Sequence, residues 1–187
     1  MRWLRALLQT PPRPDAARVL AEACAVETGL ARRLADDAER LGRYPWLRTE
    51  VRALAGEIEA EATRLAAALQ RRGRAAPPAP PPAPAARTVW ERLRADLDDL
   101  RAAAARHADA AYDVERADPE ASRLLLDLAR RTRAADRRLT WLLARVEPTG
   151  LDRPDGAVAE PPEAEPDLAP VAGHLDIDAL PTPGSGA

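Results

Sequence analysis

The chain of 187 residues has the length expected of one medium domain with extensions. Its net charge of −2 provides no overall field that would favour nucleic acid or a membrane surface, and its single cysteine excludes an internal disulfide framework and a cysteine-cluster metal site. Hydrophobic residues make up 46% of the chain but aromatic residues only 3%, so the composition favours helices that meet along narrow alanine- and leucine-rich seams.

The first segment, residues 1–13, is predicted to form a short amphipathic helix through Trp3, Leu4, Leu7 and Leu8. We expect it to pack on the rest of the protein or on a dimer partner. Its apolar stretch is too short for a signal peptide, and no run in the chain approaches the ~20 apolar residues of a membrane span. A cytoplasmic protein is therefore expected.

Apolar side chains at alternating spacings of three and four residues mark four tracts: 14–41, 44–70, 89–116 and 119–145. This spacing predicts helices that each turn one face towards a core. Gly42 and Gly73 follow the first and second tracts, as helix stops often do. The pair Asp118-Pro119 opens the fourth tract as a cap followed by a proline at the first helical position.

The connections between the tracts predict how the helices are joined. The breaks after the first and third tracts are only a few residues long, so 14–73 and 89–148 are each expected to form an antiparallel hairpin. The linker, residues 74–88, is rich in proline and alanine. A polyproline segment of about 13 residues spans ~40 Å, the length of a helix of about 27 residues. The sequence therefore predicts an all-α four-helix bundle over 14–148, with a long Pro-rich crossover.

The composition changes after residue 148. Residues 149–187 hold seven prolines, eight acidic residues and one arginine, a local net charge of −7, which leaves about +5 on the rest of the chain. A segment of this composition cannot bury enough apolar surface to fold alone, so a disordered acidic tail is expected. Its apolar cluster, Leu175, Ile177 and Leu180, is a candidate anchor for a protein partner.

Two glutamates fall where the helical pattern calls for apolar residues. Heptad spacing leads from Leu20 to Glu27 and from Leu54 to Glu61. Counted from the turn between the first two helices, both glutamates lie at nearly the same level. Two buried carboxylates that face each other are costly unless they share a proton, meet an arginine or hold a metal ion. Glu27 and Glu61 are therefore the candidate site of the core.

Several short motifs resemble those of ferritin-like and rubrerythrin-like carboxylate bundles. They are the inward Glu27, the Tyr-Pro-Trp-Leu of the first turn at 44–47, the Leu-Ala at 54–55 and the Trp-Glu-Arg-Leu at 90–93. The resemblance covers residues 17–147 and implies a ferritin-like bundle. Members of that superfamily hold two iron or manganese ions, with one Glu and one Glu-x-x-His motif from each hairpin.

The resemblance assigns the ligand positions to Glu27, Ile58, Glu61, Leu100, Thr132 and Ala135. Only Glu27 keeps its identity, and Glu61 supplies a different oxygen ligand. No Glu-x-x-His or His-x-x-Glu motif occurs on the four predicted helices. We therefore expect no cofactor and a degenerate, non-catalytic member. The alternative is a weak iron or manganese site on Glu27 and Glu61, with iron oxidation, storage or redox activity.

For two further core residues, the sequence favours a structural role over a functional one. His107 lies on the inward face of the third helix, where no carboxylate shares its stripe, so a satisfied or rim histidine is favoured over a metal ligand. Cys24 is expected to be a small buried residue, because nothing nearby in the sequence would activate it as a nucleophile.

Arginines gather on the outward side of the fourth helix at Arg130, Arg133 and Arg137. They form either a solvated helix face or a binding strip for something acidic, for which the chain's own tail is one candidate. Nucleic acid is disfavoured, because Asp127 and Asp136 interrupt the strip and no aromatic side chain is interleaved for base stacking.

These observations favour a structural or protein-interaction module, a pseudoenzyme whose working part lies on its surface or in its tail. The expected partners are other proteins: a second copy of the chain, or a compartment or shell protein that captures the tail.

Overall fold

The computed structural model describes residues 15–78, 88–146 and 151. They form four helices: α1 (Ala16–Ala38), α2 (Pro45–Arg71), α3 (Val89–Val114) and α4 (Pro119–Leu143). No strand occurs in these ranges, so the prediction of an all-α chain with four helices is confirmed, with each helix end within three residues of its predicted position. No described helix combines the length and the apolar composition that a bilayer crossing requires. The predicted N-terminal helix, and Leu175, Ile177 and Leu180, lie outside the described residues.

Side chains at the helix starts fix where three of the helices begin. Asp15 accepts a hydrogen bond from the first turn of α1. Thr88 and Glu91 form a reciprocal capping box at the start of α3. Asp118 accepts the backbone N–H of the third residue of α4, and Pro119 occupies the first turn, as the sequence predicts.

Gly73 ends α2 in the left-handed region, with φ of 68°. The N–H groups of Gly73 and Arg74 donate to the carbonyls of Gln70 and Leu69 at 2.9 and 3.0 Å, which closes the last turn. A Cβ atom on Gly73 would meet no atom within 4 Å, so an alanine there changes the backbone strain alone.

Gly73→Ala is therefore expected to lower the free energy of unfolding by about 1 kcal/mol. The matched control is Gly42→Ala, where a Cβ atom also has open space and φ is not positive. It should lose no stability. Urea denaturation of both variants measures the difference, and equal losses would show that strain at Gly73 is not the cause.

Buried apolar side chains form two clusters along the bundle. The first surrounds the turn between α1 and α2 and includes Leu30, Leu34, Leu47, Leu54, Leu97, Leu100, Leu139 and Leu142. The second lies towards the start of α1 and includes Leu20, Cys24, Leu65, Leu69, Val114, Leu125 and Leu128. Between them, each helix carries one polar residue at about the same level: Glu27, Glu61, His107 and Thr132. We call these four residues the central polar layer.

Contacts between helices place their ends beside one another. α1 packs mainly on α2 and α3 mainly on α4, while α1 also contacts α3 and α2 contacts α4. At one end of the bundle, Arg72 after α2 forms an ion pair with Asp118 before α4 at 3.0 Å. At the other end, Arg92 in the first turn of α3 pairs with Asp37 in the last turn of α1.

One described residue beyond the predicted boundary at residue 148 belongs to the apolar core. Leu151, which the composition assigns to the acidic tail, is only 5% exposed. It belongs to the first apolar cluster, together with Leu143 at the end of α4 and Val146 just after it. A single leucine can thus pack on the bundle even though the sequence around it has the composition of the tail.

Two truncations test the contribution of Leu151. Removal of residues 152–187 should leave the free energy of unfolding within about 0.5 kcal/mol of the full chain, since it takes away no residue of the described core. Removal of residues 149–187 should cost about 1.5 kcal/mol, because the burial of one leucine is lost. Equal stability of the two truncated proteins would show that Leu151 contributes nothing.

Candidate functional site

Glu27 is the most deeply placed acid of the central polar layer, with 1% of the residue exposed. Its Oε1 atom lies 2.7 Å from Nε2 of His107 on α3. It also lies 3.4 Å from the hydroxyl of Thr132 on α4, which donates to the Leu128 carbonyl at 3.0 Å. The side chain of Glu27 therefore joins three helices inside the bundle. His107 is a satisfied core histidine, and its carboxylate partner comes from α1.

Glu61 has a different environment from Glu27. Its carboxylate is 13% exposed and forms ion pairs with Arg64 at 2.7 Å and Arg131 of α4 at 3.3 Å. Of the three partners expected for the inward glutamates, Glu61 takes arginine. Glu27 takes the imidazole of His107, a partner that was not foreseen. The two carboxylates thus have separate partners and do not depend on each other for neutralisation.

The donor set of the central polar layer does not fit a pair of metal ions. Such a centre in ferritin-like bundles takes six side chains, four carboxylates and two histidines. At the corresponding positions, Ile58, Leu100 and Ala135 are buried members of the first apolar cluster. Thr132 offers only a hydroxyl, and Glu61 is held by arginines. Within the described ranges, no group of three or more His, Cys, Asp or Glu side chains is placed to hold a metal ion.

A second buried charged group, unforeseen in the sequence, joins α1 to α3. Asp37 and Asp96 are 1% and 2% exposed. Asp37 pairs with Arg92, and Oδ1 of Asp96 accepts from Nε of Arg33 at 2.8 Å. Arg33 also reaches the exposed Asp99 at 2.6 Å. The arginines lie at the edge of the bundle and the two carboxylates inside it.

The two acids interact with each other as well as with their arginines. Burial raises the pKa of Asp96 to about 7; the Arg33 guanidinium opposes this rise and the nearby Asp37 carboxylate adds to it. The Oδ2 atom of Asp96 is buried without a hydrogen-bond donor among the described residues. A proton on Asp96, shared with Asp37, would satisfy that atom. In the sequence, the burial of Asp37 and Asp96 is indicated only by their spacing, because each follows an inward leucine, Leu34 or Leu93, by three residues.

The arginines of α4 lie on two faces of the helix. Arg131 and Arg138 turn towards α2, where Arg138 binds Glu50 at 2.5 Å and Glu57 at 2.8 Å. These glutamates raise the pKa of Arg138 against the opposing effect of its burial. These two arginines, which are not among the three of the predicted strip, are therefore occupied by ion pairs within the bundle.

The other arginines of α4 remain on the surface. Arg130 is exposed and lies 3.5 Å from Asp127. Arg133 and Arg137 are exposed, and neither is within ion-pair distance of a described carboxylate. With Arg101, Ala104, Ala105 and Asp136 they line an open cleft of about 300 Å³ between α3 and α4. We call this the arginine cleft.

Cys24 lies in the second apolar cluster, with Sγ 3.5 Å from the carbonyl oxygen of Ala62. Burial raises the pKa of its thiol, against the lowering effect of a hydrogen bond with Thr28. The thiol is thereby kept protonated, as the sequence predicts for a small buried residue and not for a nucleophile.

No family model matches this chain, and a search of curated proteins finds no significant match. What the protein can do therefore follows from the chemistry of its own residues, chiefly the central polar layer and the arginine cleft.

Proposed function

We propose that the bundle is a ferritin-like fold made of two antiparallel hairpins with a long crossover between them. Three ion pairs support this. Arg74 after α2 pairs with Asp15 before α1 at 3.6 Å, and Arg72 pairs with Asp118 at the start of α4. The pair between Arg92 and Asp37 lies at the opposite end. Under this topology the linker carries the chain along the whole bundle.

We infer that the protein is a non-catalytic structural or protein-interaction module. The observation that carries this proposal is the contrast between the polar groups inside and outside the bundle. Glu27 and His107 satisfy each other in the core. Arg133 and Arg137, by contrast, are exposed beside an open cleft, and neither forms an ion pair with a described carboxylate. The chemistry available for recognition lies on the surface, and it suits a carboxylate-rich partner.

The tail is the second surface of this proposal. Its apolar residues Leu175, Ile177 and Leu180 would anchor a partner protein, with a second copy of the chain or a shell protein as candidates. A cytoplasmic location belongs to the same proposal, and the single buried cysteine fits it.

Affinity capture from an extract of the source cell tests the role of the cleft. The double variant Arg133→Gln/Arg137→Gln should lose most of the captured partner, and capture by the parent protein should fall as salt is added. The matched control is Arg32→Gln/Arg40→Gln, which removes two exposed arginines on and just after α1 that also have no described carboxylate partner. Equal capture by both double variants would reject the proposal.

Metal loading tests the proposal that the protein is non-catalytic. No observation favours the alternative of an iron or manganese site on Glu27 and Glu61, since each carboxylate is bound to other side chains. After incubation with Fe(II) or Mn(II) and desalting, we expect well under one ion per chain. Two ions per chain, lost on Glu27→Gln, would overturn the proposal.

A further inference from the structure

We propose that the bundle opens along the contact between α2 and α4, with the contact between α1 and α3 as the hinge. α1 packs mainly on α2 and α3 mainly on α4, so these two helix pairs are the parts that move. They meet chiefly where α1 lies against α3 and where α2 lies against α4. This inference goes beyond the proposed function, because it concerns a motion inside the bundle. It rests on the different polar contacts that hold the two sides.

Buried polar groups hold α1 against α3. Glu27 lies 2.7 Å from His107, and both side chains are almost completely buried. The carboxylates of Asp37 and Asp96 are equally buried and bind arginines at the edge of the same side. A small separation of α1 from α3 would leave these carboxylates without a partner and without full hydration, which is far more costly than the loss of an exposed ion pair. Salt also screens buried pairs only weakly. This side is therefore suited to act as the hinge.

The ion pairs between α2 and α4 lie nearer the surface. In each pair away from the helix ends, at least one partner is more than one third exposed. These pairs join Arg138 to Glu50 and Glu57, Arg131 to Glu61, and Arg64 to Asp127. Exposed pairs contribute little each and are screened by salt. α2 also packs less closely on α4 than α1 does on α3. The side formed by α2 and α4 is therefore the weaker of the two.

Unsatisfied donors weaken one end of this side further. The Nε atom of Arg138 is buried and has no acceptor among the described residues. The same holds for the indole N–H groups of Trp46 and Trp141, which lie four residues before Glu50 and three after Arg138. A buried donor without an acceptor costs free energy that hydration would return. Separation of α2 from α4 at this end admits water to these groups, which offsets part of the cost of opening.

The opposite end of the same side is closed more firmly. Arg72, just after α2, contacts Asp118, just before α4, with its Nη2 and Nε atoms 3.0 and 3.2 Å from Oδ2. Both side chains are at most one quarter exposed. The separation is therefore widest at the end that holds Arg138. The open form is a minor state of the folded protein that gives water access to the central polar layer. Anions that compete for Arg131 and Arg138 would increase its population.

Thiol labelling of the purified full chain measures this opening, because the sequence contains one cysteine. In a Cys24→Ala background, Ala135→Cys places a thiol on the buried face of α4 between Arg131 and Arg138. Iodoacetamide is neutral, so salt does not change its rate through charge, and the rate in the unfolded chain provides the reference. We expect labelling at position 135 to be faster than at the control position by about tenfold or more.

The control is Ala103→Cys in the same background, which places the thiol on the buried face of α3 between Asp96 and His107. A second pair of variants, Val51→Cys on α2 and Ala23→Cys on α1, repeats the comparison at other buried positions. Within each pair, the first variant should label faster. Equal rates would mean that only global unfolding exposes the thiols, and faster labelling of the controls would mean that the other side opens. Either result overturns the proposal.

Salt and Arg138→Gln test the role of the ion pairs. A rise from about 0.02 to about 0.5 M NaCl should accelerate labelling at position 135 by about threefold or more and leave position 103 nearly unchanged. Arg138→Gln should do the same at low salt. Arg52→Gln, which removes an exposed pair with Glu39 on another side, should change neither rate. A rate at position 135 that ignores both salt and Arg138→Gln would overturn the proposal.

Amide hydrogen exchange distinguishes opening from unwinding of α4. If α4 moves as a rigid helix, its backbone hydrogen bonds remain, so exchange around position 135 should not rise with salt as the thiol rate does. A parallel rise of both rates would show that α4 unwinds, which contradicts the proposed motion. All of these measurements use the purified chain alone, so their failure would be distinct from a failure of partner capture.

Discussion

Replacement of Glu27 by leucine is expected to lower the free energy of unfolding by about 3 kcal/mol. Without the carboxylate, Nε2 of His107 loses its partner at 2.7 Å while the imidazole stays buried. An unpartnered polar group in the core costs more than the leucine gains by packing. Had Glu27 been an unpaired remnant, the same substitution would have stabilised the protein. Urea denaturation at constant pH measures the change.

The double variant Glu27→Leu/His107→Leu separates a paired role from a packing defect. Removal of both partners leaves no orphaned polar group, because Thr132 keeps its bond to the Leu128 carbonyl. We expect the double variant to be at least as stable as either single variant, with a coupling energy of about 2 kcal/mol or more. Additive losses would contradict the pairing.

Glu61→Leu is the matched control for the inward glutamates. Its carboxylate is partly exposed, and its partners Arg64 and Arg131 are themselves about half exposed and remain solvated when it is removed. The expected change is below about 1 kcal/mol. A loss as large as that of Glu27→Leu would mean that the central polar layer acts as a whole and not through the contact with His107.

Stability is expected to fall as the pH rises from about 4 to about 7, by up to about 1.4 kcal/mol per pH unit, because of Asp96. Burial raises the pKa of this acid to about 7 from an ordinary value of 3.8. Between these two values the folded state holds a proton that the unfolded state has released. The stabilisation is therefore complete below pH 4, is lost as the pH rises through 7, and changes little above that.

Asp96→Asn should remove this dependence. The amide carbonyl can still accept from Arg33, and the amide N–H can donate to Asp37 in place of the shared proton. At pH 8 the variant is expected to be more stable than the parent, and near pH 4 the two should be about equally stable. Denaturation curves at both pH values measure the difference.

The control for this titration is Asp99→Asn, which alters the exposed partner of the same arginine. It should keep the parent's slope between pH 4 and 7. If both variants keep the slope, another group is responsible for it. If both lose it, Arg33 and not the burial of Asp96 governs the titration.

The four helices could be predicted because their determinants are local. Apolar spacing, Asp118-Pro119 and Gly73 act over a few residues, and the helix ends follow them closely. The partner of Glu27 could not be read in the same way. His107 lies 80 residues away, and the two meet only when α3 is placed against α1. The heptad pattern shows that each side chain points inward, but not which of the other helices it meets.

The arginines illustrate a second limit. The sequence places Arg130, Arg133 and Arg137 on the outward side of α4 but gives no partner for Arg131 and Arg138, which bind acids of α2. Arginines at adjacent positions around α4 point in directions that differ by small angles. A long arginine side chain can therefore bend towards either α2 or α3. Asp37 and Asp96 were missed for the same reason, since a flanking position becomes buried only when a particular helix packs over it.

The central polar layer also determines how the helices can slide. Contacts between helices rich in alanine and leucine are similar from one turn to the next. A shift of α3 along α1 by one turn, about 5.4 Å, would therefore replace one apolar contact by another at little cost in packing free energy. The hydrogen bond between Glu27 and His107 removes that freedom, because any such shift leaves both groups buried against hydrocarbon. Together with the ion pairs between Arg92 and Asp37 and between Arg33 and Asp96, this contact favours one axial register of α3 on α1.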